Sequence, residues 1–200
     1  MQVTERDIEI LGWINRMRFA TAKQVGIRFG IGIWYTYKRL RKLDVEGYLV
    51  HVRPLRDAPG VWLCTEAGAR MSGTGLWAPP RKINIATFRH DLGVIDLSIE
   101  LEKRGVWLSE RELRRGGDYR KKVPDGVLLM EGRRIACELE LTRKSVRSMD
   151  RNLAIYKRNI EYDEVWYFVD GAAVENAVRK ATEGIDFIRV IKLEEVLKDA

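Results

Sequence analysis

A chain of 200 residues has room for one large domain or two small ones. Residues 1–82 carry 14 Lys/Arg against 7 Asp/Glu and the remainder carries 22 of each, so the whole formal excess of +7 falls in the first two-fifths. This predicts an anion-binding module ahead of a neutral one, with nucleic acid the default anion, although an ordinary basic surface would give the same count; no apolar run approaches the ~20 residues that cross a bilayer, which excludes a spanning helix.

The opening, MQVTERDIEI, is charged and lacks the apolar core of a signal peptide, which predicts a cytoplasmic protein. Thr4 suits the N-cap of a helix over 5–17, with Asp7 near its first-turn amides and Ile8, Leu11, Ile14 and Met17 at helical spacing. Thr21 caps a second helix over 22–29, and Gly30 and Gly32 mark a turn. A third helix runs over 33–46 with Tyr37, Leu40 and Leu43 inward, and Gly47 ends it. Strand-like runs follow at 48–53 and 61–64, bracketed by Pro54, Pro59 and Gly60. Cys64 and Cys137, the only cysteines, both lie in apolar runs, which points to buried thiols rather than to a disulfide or zinc framework.

Three helices and a two-stranded hairpin make the winged helix-turn-helix plan. The stretch Leu40-Arg41-Lys42-Leu43, then Glu46-Gly47-Tyr48-Leu49, then Thr65-Glu66-Ala67-Gly68 resembles winged-helix domains over about residues 4–73. The resemblance implies that the third helix enters the major groove of double-stranded DNA. Its outward residues would be Trp34, Tyr35, Lys38, Arg39 and Lys42, with the cations on phosphates and guanine edges. Arg53 and Arg56 in the wing would reach the backbone or the minor groove. The competing reading is a solvated helix face, with Trp34 and Tyr35 packed on the first helix or on a partner.

Residues 72–82, SGTGLWAPPRK, read as a linker or strap, giving domains at 1–73 and 84–200 joined by 74–83. A long helix over 85–103 turns Leu92, Ile95, Ile99 and Glu102 inward, and His90 near its start suits packing or capping better than catalysis. A strand over 106–111 carries Glu110 near its end, either a further acid for a metal or an ion-pair partner of Arg111, Arg114 or Arg115. The basic loop RRGGDYRKK then sets Arg120, Lys121 and Lys122 where a DNA backbone could lie, or where water would solvate them. Tyr119 in the same loop is a minor candidate nucleophile.

The stretch VPDGVLLMEGRRIACELELT, 123–142, reads as two strands, 123–130 and 133–141, joined by a tight turn at Glu131-Gly132. With that two-residue loop, cross-strand partners sum to 263, so Asp125 falls opposite Glu138, and Glu140 shares Glu138's face. Three acids on one face of an apolar hairpin call for a positive partner. Two carboxylates suit Mg²⁺ or Mn²⁺, and Arg133, Arg134 or a nearby Lys would serve equally in a purely structural role. After the hairpin, Thr142 caps an expected helix over 143–159, with Lys144 in its first turn. A continuous apolar strand over 163–169, a helix from Gly171, a strand over 187–191 and a terminal helix complete the chain.

Pro124-Asp125, then Glu138-x-Glu140 at the end of the next strand, then a helix, resembles the PD-(D/E)xK nuclease core. The fold class expected is therefore α/β (α+β): a winged helix followed by a restriction-endonuclease-like αβββαβ domain with a central mixed sheet. The resemblance implies that Asp125 and Glu138, with the Leu139 carbonyl, hold one Mg²⁺. Glu140 stands where that superfamily usually has Lys, which leaves the water-positioning role to Glu140 itself or to a Lys from elsewhere, Lys144 being the nearest downstream. The combination resembles the plasmid replication-relaxation proteins and related mobilisation proteins, on His90, Glu110 after Trp107, Pro124-Asp125-Gly126, Glu138 to Thr142, and Tyr156. That implies DNA binding at a plasmid, phage or integrated-element origin, with metal-dependent nicking as the activity. The alternatives are a regulator or accessory factor whose nuclease-like domain is inactive, and an RNA-binding or RNA-cleaving module. A homodimer would suit a DNA binder, but no residue marks an interface.

Overall fold

The computed structural model describes residues 2–115 and 122–197. The chain divides into two compact units, Met1–Ile95 and Asp96–Ala200.

In the first unit, α1 (Glu5–Arg16) starts at a capping box. The Thr4 hydroxyl accepts from the Asp7 N–H, and the Asp7 carboxylate accepts from the Thr4 N–H at 2.7 Å. Thr21 and Gln24 repeat the device between β1 (Ala20–Thr21) and α2 (Ala22–Phe29). In α3 (Ile33–Val45) the buried residues are Thr36, Leu40 and Leu43. Tyr37, expected inward, is 50% exposed. Thr36 replaces it because α2 and α3 approach closely there: a Cβ on Gly26 would lie 3.2 Å from the Thr36 oxygen. A threonine fits this gap, and its hydroxyl donates to the Gly32 carbonyl at 3.1 Å. The strands β2 (Leu49–Val52) and β3 (Val61–Cys64) join β1 in an antiparallel sheet of order β1-β3-β2. After α4 (Glu66–Met71), residues 72–84 form no regular element, yet they are tied down. The buried Asn15 amide donates to Thr74 Oγ1 at 3.0 Å and to the Leu76 carbonyl at 3.1 Å.

The division between units falls within α5 (Ile85–Leu101). Next come β4 (Val106–Ser109), α6 (Glu110–Leu113), β5 (Gly126–Met130), β6 (Arg133–Glu140), α7 (Val146–Arg158), β7 (Glu164–Val169), α8 (Ala172–Thr182), β8 (Ile188–Lys192) and α9 (Leu193–Val196). The five strands form one mixed sheet in the order β4-β5-β6-β7-β8. The first three pair antiparallel, and β6, β7 and β8 pair parallel through the crossovers α7 and α8. Ala136, Val165, Tyr167 and Val169 of the sheet meet Met149, Leu153 and Tyr156 of α7 and Val174 and Val178 of α8 in one core. Side chains alternate along a strand, so Glu138 and Glu140 share the face of Ala136 and point towards this packed layer.

The helix expected from residue 143 begins three residues later, at Val146. Ser145, not Thr142, is its N-cap, with Ser145 Oγ accepting from the Ser148 N–H at 3.3 Å. Residues 141–145 are left as an irregular loop. Among the described residues no helix is long and apolar enough to cross a membrane.

Candidate functional site

The site grows out of the β5–β6 turn. Glu131 and Gly132 both have positive φ, 52° and 76°, the requirement of a type I′ hairpin turn. Met130 then pairs with Arg133 and Gly126 with Cys137, the register expected from the sequence. Asp125 stands just before β5, and its Oδ2 accepts the Leu139 N–H at 2.8 Å. A side chain thus supplies an acceptor where the strand's own backbone has ended. The next residue must be glycine for a separate reason: the buried Trp107 ring lies over it, and a Cβ on Gly126 would fall 1.9 Å from Trp107 Cζ2.

Glu138 is 3% exposed. Its Oε1 accepts from the Tyr156 hydroxyl and lies 2.7 Å from Lys122 Nζ. The Lys122 ammonium also sits 5.1 Å from the centre of the Tyr156 ring. Burial, and then the nearby Asp125 charge, raise the Glu138 pKa above its ordinary value despite Lys122 and Tyr156. Burial and the Glu138 charge push the Tyr156 hydroxyl far up as well, so it stays protonated as a donor. Glu140 is equally buried, and Lys144 Nζ donates to its Oε1 at 2.5 Å. Burial outweighs this pairing on the Glu140 side and raises its pKa; on the less buried Lys144 side, pairing outweighs burial and holds the ammonium charged. The irregular 141–145 loop is what lets Lys144 turn back to Glu140. A 360 Å³ cavity opens beside this pair, lined in part by Thr142, Arg143, Asp150 and Lys180.

Tyr167 completes the cluster from the next strand, in register with Glu138. Its side chain is fully buried, and its hydroxyl has no hydrogen-bond partner among the described residues. Burial, then Glu138, Glu140 and Asp125, raise its pKa. The cluster thus combines three carboxylates, two ammonium groups and two tyrosines in a largely desolvated place, where each charge acts more strongly than in water.

Among the described residues, no three or more His, Cys, Asp or Glu side chains gather in a set that could hold a metal. Asp125 and Glu138 make a two-carboxylate set, which fits an Mg²⁺ or Mn²⁺ ion that keeps waters and substrate oxygens as its other ligands. The fit is helped by where the protein's own donors fall: both contacts to Glu138 are on Oε1.

Ser109 pairs with Gly126, so Glu110, the residue after it, comes at the strand end beside Asp125. Glu110 opens α6 and pairs with Arg114 at 2.8 Å, its side chain 53% exposed. His90 lies 3.7 Å from Asp91. Tyr119, Arg120 and Lys121 fall outside the described residues. Lys122, expected with them on a DNA backbone, lies 2.7 Å from Glu138 Oε1.

In the first unit, Trp34 and Tyr35 are 63% and 66% exposed on α3. Their rings meet edge to face at 4.9 Å, and Lys38 Nζ lies 5.1 Å from the centre of the Trp34 ring. Lys38, Lys42, Arg53 and Arg56 are exposed. Arg39 is committed inward: its guanidinium makes two hydrogen bonds to the buried Asp7 carboxylate. Burial alone would raise the Asp7 pKa, but Arg39 and Thr4 bring it below the ordinary 3.8.

Sequence reasoning passed over the Lys122–Glu138 pair and Tyr167. Lys122 follows a basic run and reads as surface; Tyr167 reads as one more apolar strand residue. The one available signal was register, since a buried Glu138 requires a cation and the 114–122 loop leads directly to its partner strand.

No curated protein matches the sequence. Among solved structures, a chain described as "PigF with SAH" matches at 15% identity and a TM-score of 0.24. That match covers 91% of this chain and 59% of the other, and so slight a likeness carries no argument. The replication-relaxation family matches residues 11–171, most of both units, and the chain belongs to that family.

Proposed function

We propose that this protein binds DNA in the replication or mobilisation of a plasmid, phage or other mobile element, and that its second unit nicks a DNA phosphodiester with Mg²⁺ or Mn²⁺. The family suggests the replication setting. The observation that carries the chemical reading is the convergence of Asp125 and Glu138 at the β5–β6 ladder, beside Lys122 and Lys144. The element order α5-β4-β5-β6-α7-β7, with a short α6 inserted, supports a PD-(D/E)xK-like domain, and the three helices with the β1-β3-β2 sheet support a winged helix.

In this reading Asp125 and Glu138 hold the divalent ion, which supplies Lewis acidity and a water of lowered pKa. Lys122 and Lys144 provide positive charge at the same site, where charge developing on a phosphate oxygen would be stabilised. Tyr156 keeps Glu138 oriented through its hydroxyl. Exposed Lys38, Lys42, Arg53 and Arg56 hold the DNA backbone.

A second reading has its own observation. Glu138 and Glu140 already have internal cations, so the cluster is compensated without a metal, as a structural core of an accessory factor would be. Supercoiled DNA carrying the element's own origin separates the two. The nuclease reading expects Mn²⁺-dependent conversion to open circles by wild type, and loss of conversion with retained binding in Asp125→Asn. Asparagine keeps an oxygen for the Leu139 N–H, so the fold is spared. Equal nicking by Asp125→Asn would overturn the assignment of this site. Binding without nicking by wild type would favour the accessory factor.

A further inference from the structure

The amino-terminal half of α3 is unusual for a helix that only lies along a duplex. Ile33, Trp34, Tyr35 and Tyr37 are all at least half exposed within five positions. Contiguous exposed apolar surface of this kind marks a place where something binds. Lys38 stands over Trp34, and Tyr35 forms part of the wall of a 360 Å³ cavity shared with Ile10, Ile31, Lys38 and Lys42. That volume lies at the lower end of the roughly 300–1,000 Å³ typical of ligand pockets. The first turn of α3 contains no acidic residue and its N-cap, Gly32, makes no side-chain cap, while the carboxylate in the cavity wall, Asp7, is paired with Arg39.

Rings and cations in this mixture select their occupant. An apolar protein surface would satisfy the rings but not the cations, which call for an anion. A closed duplex satisfies the cations, but its base faces are covered by their neighbours in the stack. A single strand offers both an exposed base face and a phosphate on every nucleotide. We infer that the Trp34–Tyr35–Lys38 face of α3 binds single-stranded DNA, Trp34 stacking on one base while the cavity beside Tyr35 admits a neighbouring unstacked base. This rests on the reading of the protein as a DNA binder. It deepens that reading, because strand opening is where an origin exposes bases.

The test is fluorescence anisotropy of the full chain with labelled oligo(dT) and with a labelled short duplex, at one fixed salt concentration. Trp34→Ala and Tyr35→Ala remove exposed side chains, and Trp34→Phe restores a ring. Stacking is worth about 1–3 kcal/mol per base, so each alanine variant should weaken oligo(dT) binding by about 5- to 150-fold. Duplex affinity should change far less, and Trp34→Phe should recover most of the loss. Equal weakening on both DNAs, unchanged oligo(dT) binding, or tighter binding of an oligo(U) RNA would overturn the inference. Wild type that binds neither DNA would instead remove the DNA-binding reading on which it stands.

Discussion

The two units handle charge in opposite ways. The first carries the whole formal excess of +7 and leaves most of it in water, on Lys38, Lys42, Arg53 and Arg56. Among its described residues the deeply buried charge, Asp7, is matched by Arg39. The second has no formal excess and draws Glu138 and Glu140 inside, where Lys122 and Lys144 meet them. Exposed charge attracts an anion at long range but is screened by salt. Buried charge is weakly screened and costly to assemble, and it repays that cost where charge must be stabilised at one point. One unit is thus suited to capture and the other to local chemistry.

Breaking the internal pair of the basic unit should have the largest effect. Arg39→Met leaves Asp7 buried without its cation and should cost about 3–5 kcal/mol in thermal or denaturant unfolding. The sign with pH is fixed by Asp7. Its folded pKa lies below 3.8, so its stabilisation is complete above 3.8 and is lost as pH falls through the lowered value. The gap between wild type and Arg39→Met should therefore be widest near neutral pH and narrow in acid.

In the second unit, Gly126→Ala drives a methyl into the Trp107 ring and should cost about 1–3 kcal/mol or more. Pairing it with Trp107→Leu should recover part of that loss, and no recovery in the double variant would contradict the packing argument. Lys122→Met removes a charge-assisted contact from a buried carboxylate, which should cost about 1.5–3 kcal/mol. The smallest effect belongs to Glu110→Gln. Its pair with Arg114 is half exposed, so stability should move by no more than about 1 kcal/mol, and any nicking activity should persist. A large loss of activity in this variant would assign Glu110 to the site.

How much of this was legible depended on the range of the signal. The caps at Thr4 and Thr21 and the turn at Glu131-Gly132 are local; α1, α2 and β6 appeared within a residue of expectation, while β5, expected from Val123, begins at Gly126. The hairpin register follows from the turn, and it sets Asp125, Glu138 and Glu140 together from sequence alone. Choices settled by packing were not legible. Thr36 displaced Tyr37 because of how closely α2 passes, and Ser145 displaced Thr142 where two competent caps stood three residues apart. The two-residue β1 is too short for any periodicity to register. The partnership of Lys122 with Glu138 is a contact between distant positions, and a basic run in sequence reads as solvated until a fold shows which lysine turns inward.

The most direct test of the acidic cluster is calorimetric titration of Mn²⁺ into the wild-type chain and into Asp125→Asn. The account predicts one saturable site on wild type that is lost or strongly weakened in the variant, with folding preserved by circular dichroism. No Mn²⁺ binding to wild type, with or without DNA, would contradict it and leave the carboxylates and their lysines as a structural core.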